Sequence, residues 1–188
     1  HNYRIPLVNL IDGSGGSVTS IQRRGHAVFP GVHGFERSVE LLGEVPVVCA
    51  VMGTAAGGPA GRAILAHWSV MVKGTSQVFA AGPPVVERSL GQKITKEELG
   101  GPELAVATAG TIDNVAASEQ ECFALIRRYL SYMPRNVWEL PPLGDQGDPV
   151  DRCADELRGI VPENRRKPYD MRRLIRLWLN LATNFSVL

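Results

Sequence analysis

The sequence predicts an α/β fold, and three observations carry that prediction. Two continuous apolar runs rich in β-branched residues, IPLVNLI at 5–11 and VPVVCAVMG at 45–53, suit buried strands of a parallel sheet. Each run leads into a glycine cluster, DGSGGS at 12–17 and GTAAGG at 53–58. Segments with helical periodicity alternate with the strand-like ones. A chain of 188 residues is long enough for one domain with a real core, or a domain plus an appendage.

The elements follow in order. After the first strand, DGSGGS breaks the run, and residues 18–31 show no clear period. FERSVELLG at 35–43 predicts a short amphipathic helix, with Phe35, Val39 and Leu42 on one side and Gly43 as its stop. The second strand is followed by a helix over Ala60–Ala66, with Pro59 at its first position. SVMVKG at 69–74 and QVFAAG at 77–82 predict two further short strands. PPVVERSLG at 83–91 predicts a helical turn or two, opened by proline and closed by Gly91. Thr95-Lys96-Glu97-Glu98 has the pattern of a capping box, with Gly100-Gly101 ending its small helix. Ser118-Glu119-Gln120-Glu121 has the same pattern, and Cys122, Ile126, Tyr129, Leu130 and Met133 then form one helix face. Pro134 ends that helix, and the Pro- and Gly-rich stretch 134–150 reads as a linker. A last helix starts near Asp170, with Met171, Leu174, Ile175, Trp178 and Leu179 as its apolar stripe.

Composition excludes several functions. The formal net charge is +1, so nothing argues for bulk attraction to nucleic acid or membrane. The one basic cluster, Arg165-Arg166-Lys167 with Arg172, Arg173 and Arg176, reads as a solvated face. Cys49, Cys122 and Cys153 show no C-x-x-C spacing and fit a reducing compartment. They form no metal-spaced set with His1, His26, His33 and His67, so no metal site is expected. No apolar run is long enough to span a bilayer. There is no G-x-S-x-G elbow, Walker loop or dinucleotide fingerprint. Asp113 and Glu121 read as solvated or capping carboxylates, His67 as structural, and Cys49 as a small buried hydrophobe. The chain opens without methionine and enters a strand almost at once, which predicts a piece of something longer.

Gly57 and Gly58 raise a question of chemistry. Adjacent glycines cost backbone entropy, so they mark an unusual bend or a close approach. A helix beginning at Gly58 or Pro59 leaves its first N–H groups unpaired, with the positive end of the helix dipole behind them. An oxygen acquiring negative charge is stabilised there. The same glycines also suit tight packing of the helix on the strand, and composition leaves both readings open.

The chain also carries, in this order, PLVNLIDGSGGS, VFPG, GEVPVVCAVMGTAAGG, SVMVKGTSQVFAAGPPVV, GQKITKEELGG, YMPRNVWELPP, DPVDR and IVPENRRKPYDMRRLI. It resembles the carboxyltransferase (β) subunits of biotin-dependent acyl-CoA carboxylases, the propionyl-, methylcrotonyl- and geranyl-CoA carboxylase family, with the related decarboxylase α subunits. The likeness runs from about residue 5 to about residue 181. It implies a crotonase-like (ClpP/crotonase) fold of β-β-α superhelical turns, here as a partial domain. Residues 1–133 would be the latter part of the N domain, 134–169 a Pro-rich linker, and 170–188 the start of the C domain.

The resemblance also implies site roles. Ala56, Gly57 and Gly58 correspond to the segment whose backbone N–H groups hold the enolate oxygen of an acyl-CoA thioester, Gly57 and Gly58 being the catalytic pair. Ser14, Gly15 and Gly16 correspond to a glycine loop near the CoA thioester and phosphates. Ala81, Gly82, Pro83 and Pro84 correspond to a wall of the acyl pocket. The implied cofactor is biotin, as carboxybiotin on a partner carrier domain, with acyl-CoA as substrate. The implied partners are a biotin carboxylase or biotin carrier subunit and further copies of the chain, as a hexamer, in a bacterial cytoplasm or a mitochondrial matrix. The DGSGG loop is one residue longer than the family's D-S-G-G, and Ala105 stands where many relatives carry histidine. Two alternatives share the fold: a decarboxylase α subunit running the reverse transfer, and a non-catalytic CoA-binding or assembly module. A crotonase-type hydratase ranks last, because no pair of glutamates stands near the glycine loops.

Overall fold

The second apolar run becomes the centre of the sheet. In a computed structural model describing residues 3–16, 18–26, 32–144, 149, 151 and 153–178, the strands are β1 (Leu7–Gly13), β2 (Val47–Ala56), β3 (Trp68–Val72), β4 (Gln77–Phe79) and β5 (Asn114–Ala116). All recorded pairings are parallel. β1 lies along one side of β2, from Leu7↔Val47 to Gly13↔Ala55. On its other side β2 serves two neighbours in turn. Val48–Val51 pair with Trp68–Met71 of β3, and Thr54–Ala56 pair with Gln77–Phe79 of β4. β5 pairs with β3.

Side-chain alternation along β2 builds two cores. Cys49, Val51 and Ala55 face a cluster with Ile11, Met71, Ala105 and Ile112, covered by Ala60 and Ala63 of α3 (Gly58–Ile64). Val48 and Ala50 face a second cluster with Val70, Val72 and Ala116, covered by Cys122 and Ile126 of α6 (Glu119–Ser131). Val47–Val51 are all buried, as a strand covered on both faces requires. β1 departs from that expectation. Among the described residues it pairs only with β2, so Leu7, Val8 and Asn9 are half-buried and Leu10 is exposed.

The remaining helices are α1 (Val18–Arg24), α2 (Val32–Leu42), α4 (Pro83–Leu90), α5 (Lys96–Gly100) and α7 (Met171–Trp178). A π-helical turn over Glu103–Thr108 and β5 have no counterpart in the sequence prediction, nor does α1. α1 is seven residues and β5 three, too short for periodicity to register. β2 runs on to Ala56, so the expected break at Gly53 is strand. Pro59 is the second helical residue rather than the first. Gly91 ends α4 in the left-handed conformation, at φ 68°. The Thr95 box closes in both directions: the Glu98 N–H donates to Thr95 Oγ1, and the Thr95 N–H donates to Glu98 Oε2. The Thr95 N–H and the Thr95 hydroxyl, both donating to Glu98 Oε2, hold the Glu98 carboxyl below its ordinary range. The Ser118 box closes in one. Glu121 N donates to Ser118 Oγ at 3.2 Å, but the Glu121 carboxylate accepts from Ala117 N at 2.7 Å, one residue earlier than the pattern predicts.

Two residues weighed for chemistry, His67 and Asp113, serve the frame, and Trp68 does the same. His67 Nδ1 accepts from Val47 N at 3.0 Å while the His67 N–H donates to Val47 O, extending the β2 ladder with a side chain. Asp113 Oδ2 accepts from both the N–H and the hydroxyl of Ser69, joining the entry to β5 to β3. Trp68 donates to Asn114 Oδ1 and stacks on Tyr129 at 5.1 Å.

The thiols divide by burial. Burial raises Cys49, whose Sγ donates to the Arg62 carbonyl, and with nearby Glu119 it pushes Cys122 up to about 11. Cys153 is exposed. A thiol reagent at about pH 8 is therefore expected to label Cys153 quickly and the other two only on unfolding, because the thiolate is the reactive form. Peptide mapping of the labelled protein checks this, and prompt labelling of Cys49 or Cys122 would contradict the packing described.

The chain divides into two compact units, 1–142 and 143–188, so the division falls inside the span expected as a linker. The second unit holds a 3-10 turn at Asp155–Gly159 and α7, whose first turn is capped by Asp170 Oδ1 accepting from Arg172 N at 2.9 Å. Arg172, Arg173 and Arg176 are exposed, as a solvated face requires. Leu179 of the expected stripe, the start of a C domain beyond residue 178, and VFPG at 28–31 lie outside the described residues. No helix among those residues is long and apolar enough to cross a membrane. No group of three His, Cys, Asp or Glu among them is placed to hold a metal ion.

Candidate functional site

The three segments singled out in the sequence meet at the carboxyl ends of β1, β2 and β4, the edge where parallel sheets collect ligands. Gly13, the last residue of β1, pairs with Ala55. A Cβ on Gly13 would lie 3.0 Å from the Pro59 ring, so the loop after β1 is seated on the start of α3. Ser14, Gly15 and Gly16 are exposed. Gly15 has φ 90°, and a Cβ there would lie 3.6 Å from the Ala56 carbonyl oxygen. Ala56 itself is buried at the end of β2. Beyond β4, Ala81 and Pro84 are exposed while Gly82 and Pro83 are half-buried, with Gly82 capping α4 over the Phe79 ring.

The two adjacent glycines have different tasks. Gly57 turns the chain, with φ 64° and ψ −118°, a conformation closed to residues with a side chain. Its N–H donates to the Phe79 carbonyl at 3.1 Å, one step past the last β2–β4 pair, and its carbonyl accepts the first bond of α3 from Gly61. Gly57 therefore has no free donor. Gly58 does: among the described residues its N–H makes no hydrogen bond, it is exposed, and nothing lies within 4 Å of where a Cβ would sit. α3 is only seven residues long, so what its start offers is the unbonded N–H of Gly58 more than a strong dipole.

Small residues keep this edge open. Ala56, Gly57, Gly58, Gly15 and Ala81 bring backbone and methyl groups to it. The nearest cation on α3 is the exposed Arg62, which lies over the Phe35 ring at 6.0 Å. Such an edge suits a bound carbonyl oxygen that becomes negative, and it needs no side-chain nucleophile.

The match to known proteins fits that chemistry. Residues 2–182 match the carboxyl transferase domain model. The chain belongs to the carboxyl transferase domain family. The propionyl-CoA carboxylase carboxyltransferase subunit of Haloferax mediterranei is 37% identical over 153 residues, covering 81% of this chain and 30% of that protein. The methylmalonyl-CoA decarboxylase subunit alpha of Veillonella parvula is 36% identical over 141 residues, covering 75% of this chain and 28% of that protein. A solved transcarboxylase 12S hexamer, with methylmalonyl-CoA and methylmalonic acid bound, superimposes with a TM-score of 0.69 at 29% identity, over 91% of this chain and 32% of that one. The carboxyl transferase chain described here thus has the crotonase-like fold of its structural neighbours and spans about a third of the relatives' length. Its parallel sheet and the β2–β4 step are that fold in partial form.

One buried polar contact beside this edge has no counterpart in the sequence reading. Gln77 had passed as the first residue of an ordinary strand, yet it is buried and its side-chain amide bonds at both ends. The signal was present as a polar residue opening the apolar run QVFAAG.

Proposed function

We propose that this chain forms the acyl-CoA side of the carboxyltransferase subunit of a biotin-dependent acyl-CoA carboxylase. The observation that carries the reading is the free, exposed N–H of Gly58 in a family of carboxyl transferases. In the proposed reaction, the thioester oxygen of a bound acyl-CoA accepts from Gly58 N–H as the α-carbon loses its proton and the oxygen gains charge. Gly57 sets the turn that aims this donor. Ser14–Gly16 lie beside the thioester and phosphates, and Ala81–Pro84 form a wall for the acyl group. Carboxybiotin, carried by a partner, would supply the carboxyl group and, once that group leaves, the nitrogen that takes up the α-proton. The open space at Gly58 fits an acyl-CoA oxygen, whereas no residue described here is assigned to biotin. In this reading residues 1–133 are the latter part of the N domain, 134–169 a linker and 170–188 the start of a C domain, and the C domain of another subunit completes the site. The subunit would work as a hexamer with a biotin carboxylase or biotin carrier partner, in a bacterial cytoplasm or mitochondrial matrix.

The Veillonella relative supports a second reading, the same transfer run in reverse by a decarboxylase α subunit. The partner that copurifies separates the two, a biotin carboxylase in one case and a membrane pump subunit in the other. The complete subunit is expected to bind CoA by calorimetric titration and to decarboxylate methylmalonyl- or malonyl-CoA only when free biotin is added. This chain alone is expected to do neither turnover reaction, since the biotin side lies elsewhere. CoA binding without biotin-dependent turnover by the complete subunit would leave a CoA-binding module and overturn the enzyme. An active isolated chain would overturn the divided site.

A further inference from the structure

The EELGG stretch plays no part in the chemistry proposed above, yet it reaches the site through one buried side chain. Gln77 is 8% exposed. Thr54 Oγ1 donates to Gln77 Oε1 at 2.9 Å, and Gln77 Nε2 donates to Glu97 Oε2 at 3.3 Å. A buried amide is costly unless both its ends are bonded, and here both are. Thr54 lies opposite Gln77 in the first β2–β4 pair, and Phe79, two residues on, takes the Gly57 N–H. We propose that Gln77 is a positioning residue for Gly58: the Thr54–Gln77–Glu97 chain clamps β4 to β2 in the register that occupies the Gly57 N–H and turns the next one outward. The proposal rests on the carboxyltransferase role given to Gly58.

A clamp is needed because β4 has three residues and shares three pairs with β2. So short a ladder is weak on its own. A slip of one residue would carry the Phe79 carbonyl away from Gly57 and reverse every side chain of β4. Glu97 can reach Gln77 because α5 lies directly on β4. A Cβ on Gly100 would collide with the Val78 carbonyl, so only glycine allows that approach. The Thr95–Glu98 box fixes where α5 begins, and hence where Glu97 stands.

The test exchanges the partners in the complete subunit. Gln77→Glu sets two carboxylates against each other, while Gln77→Glu with Glu97→Gln restores a donor and an acceptor. Gln77→Glu is expected to lower kcat for biotin-dependent decarboxylation at least about tenfold, with KM for the acyl-CoA changed less than about threefold. It should also speed amide hydrogen exchange at Gly57. The double variant should recover kcat to within about threefold of Glu97→Gln alone, and recover the exchange protection. Wild-type kcat and Gly57 protection in Gln77→Glu, or a double variant no better than Gln77→Glu, would overturn the clamp. If Gln77→Glu does not fold, Thr54→Val removes only the hydroxyl donor, and unchanged Gly57 exchange in that variant overturns the proposal equally. A wild-type subunit that transfers no carboxylate would sink the carboxyltransferase reading, while the Gly57 exchange comparison would still decide the clamp.

Discussion

Gly58→Val in the complete subunit is expected to lower carboxylate transfer by about 10²–10³-fold or more, the scale of losing an oxyanion donor. The backbone at Gly58 does not require glycine, since its φ is not in the left-handed range, and a Cβ there meets nothing within 4 Å. The branched side chain therefore has room in the free protein and should leave the fold intact. That room is where the thioester oxygen would approach the N–H. The expected result is a wild-type circular dichroism spectrum and melting curve, near-wild-type partner association, and collapse of kcat. Turnover comparable with wild type would remove Gly58 from the mechanism. Gly57 is the wrong position for this test, because its φ of 64° would strain any side chain and confuse folding with chemistry.

Gly100→Ala should be the most disruptive small change in the α5–β4 contact. The added methyl would be driven into the Val78 carbonyl, with Val78 C at 2.8 Å and Phe79 Cδ1 at 3.0 Å. Backbone cannot swing aside as the end of a long side chain can. Relief requires moving α5 off β4 or β4 off β2, and overpacking of this kind costs about 1–3 kcal/mol. The urea midpoint of the transition that includes this unit should fall accordingly, without a change in slope. Gly144→Ala is the control: it meets nothing within 4 Å and should stay within about 0.5 kcal/mol of wild type. Equal midpoints for Gly100→Ala and wild type would show that the contact yields, and would weaken the account of why EELGG ends in two glycines.

What could be read from the sequence was what depends on long runs and on capping chemistry. β2 announced itself through Val45–Met52, α6 through the spacing of Cys122, Ile126 and Tyr129, and α5 through Thr95 and Glu98. The grouping of the glycine segments followed from their places after strands. Short elements were hidden: the three to seven residues of β5 and α1 carry no period of their own. The edge position of β1 was hidden too, because an apolar run does not say how many neighbours it will find. At the site, the sequence suggested that Gly57 and Gly58 act as a pair. The fold separates them, since a hydrogen bond from Gly57 to Phe79 joins residues 22 positions apart by their numbers.

β2 has two neighbours in succession along one side, and this bears on how such a protein changes over evolutionary time. Its first half, Val48–Val51, is fixed by β3 and by both cores, so substitutions there are paid for in stability. Its second half, Thr54–Ala56, answers to the three-residue β4, whose Gln77 and Phe79 are themselves buried. Beyond it α4, Pro83–Leu90, buries none of its residues, so substitutions there cost the fold little, while Gln77, Glu97 and Gly100 on either side stay bound by their contacts. Tolerance to substitution along this edge therefore changes from segment to segment rather than falling off evenly along the strand.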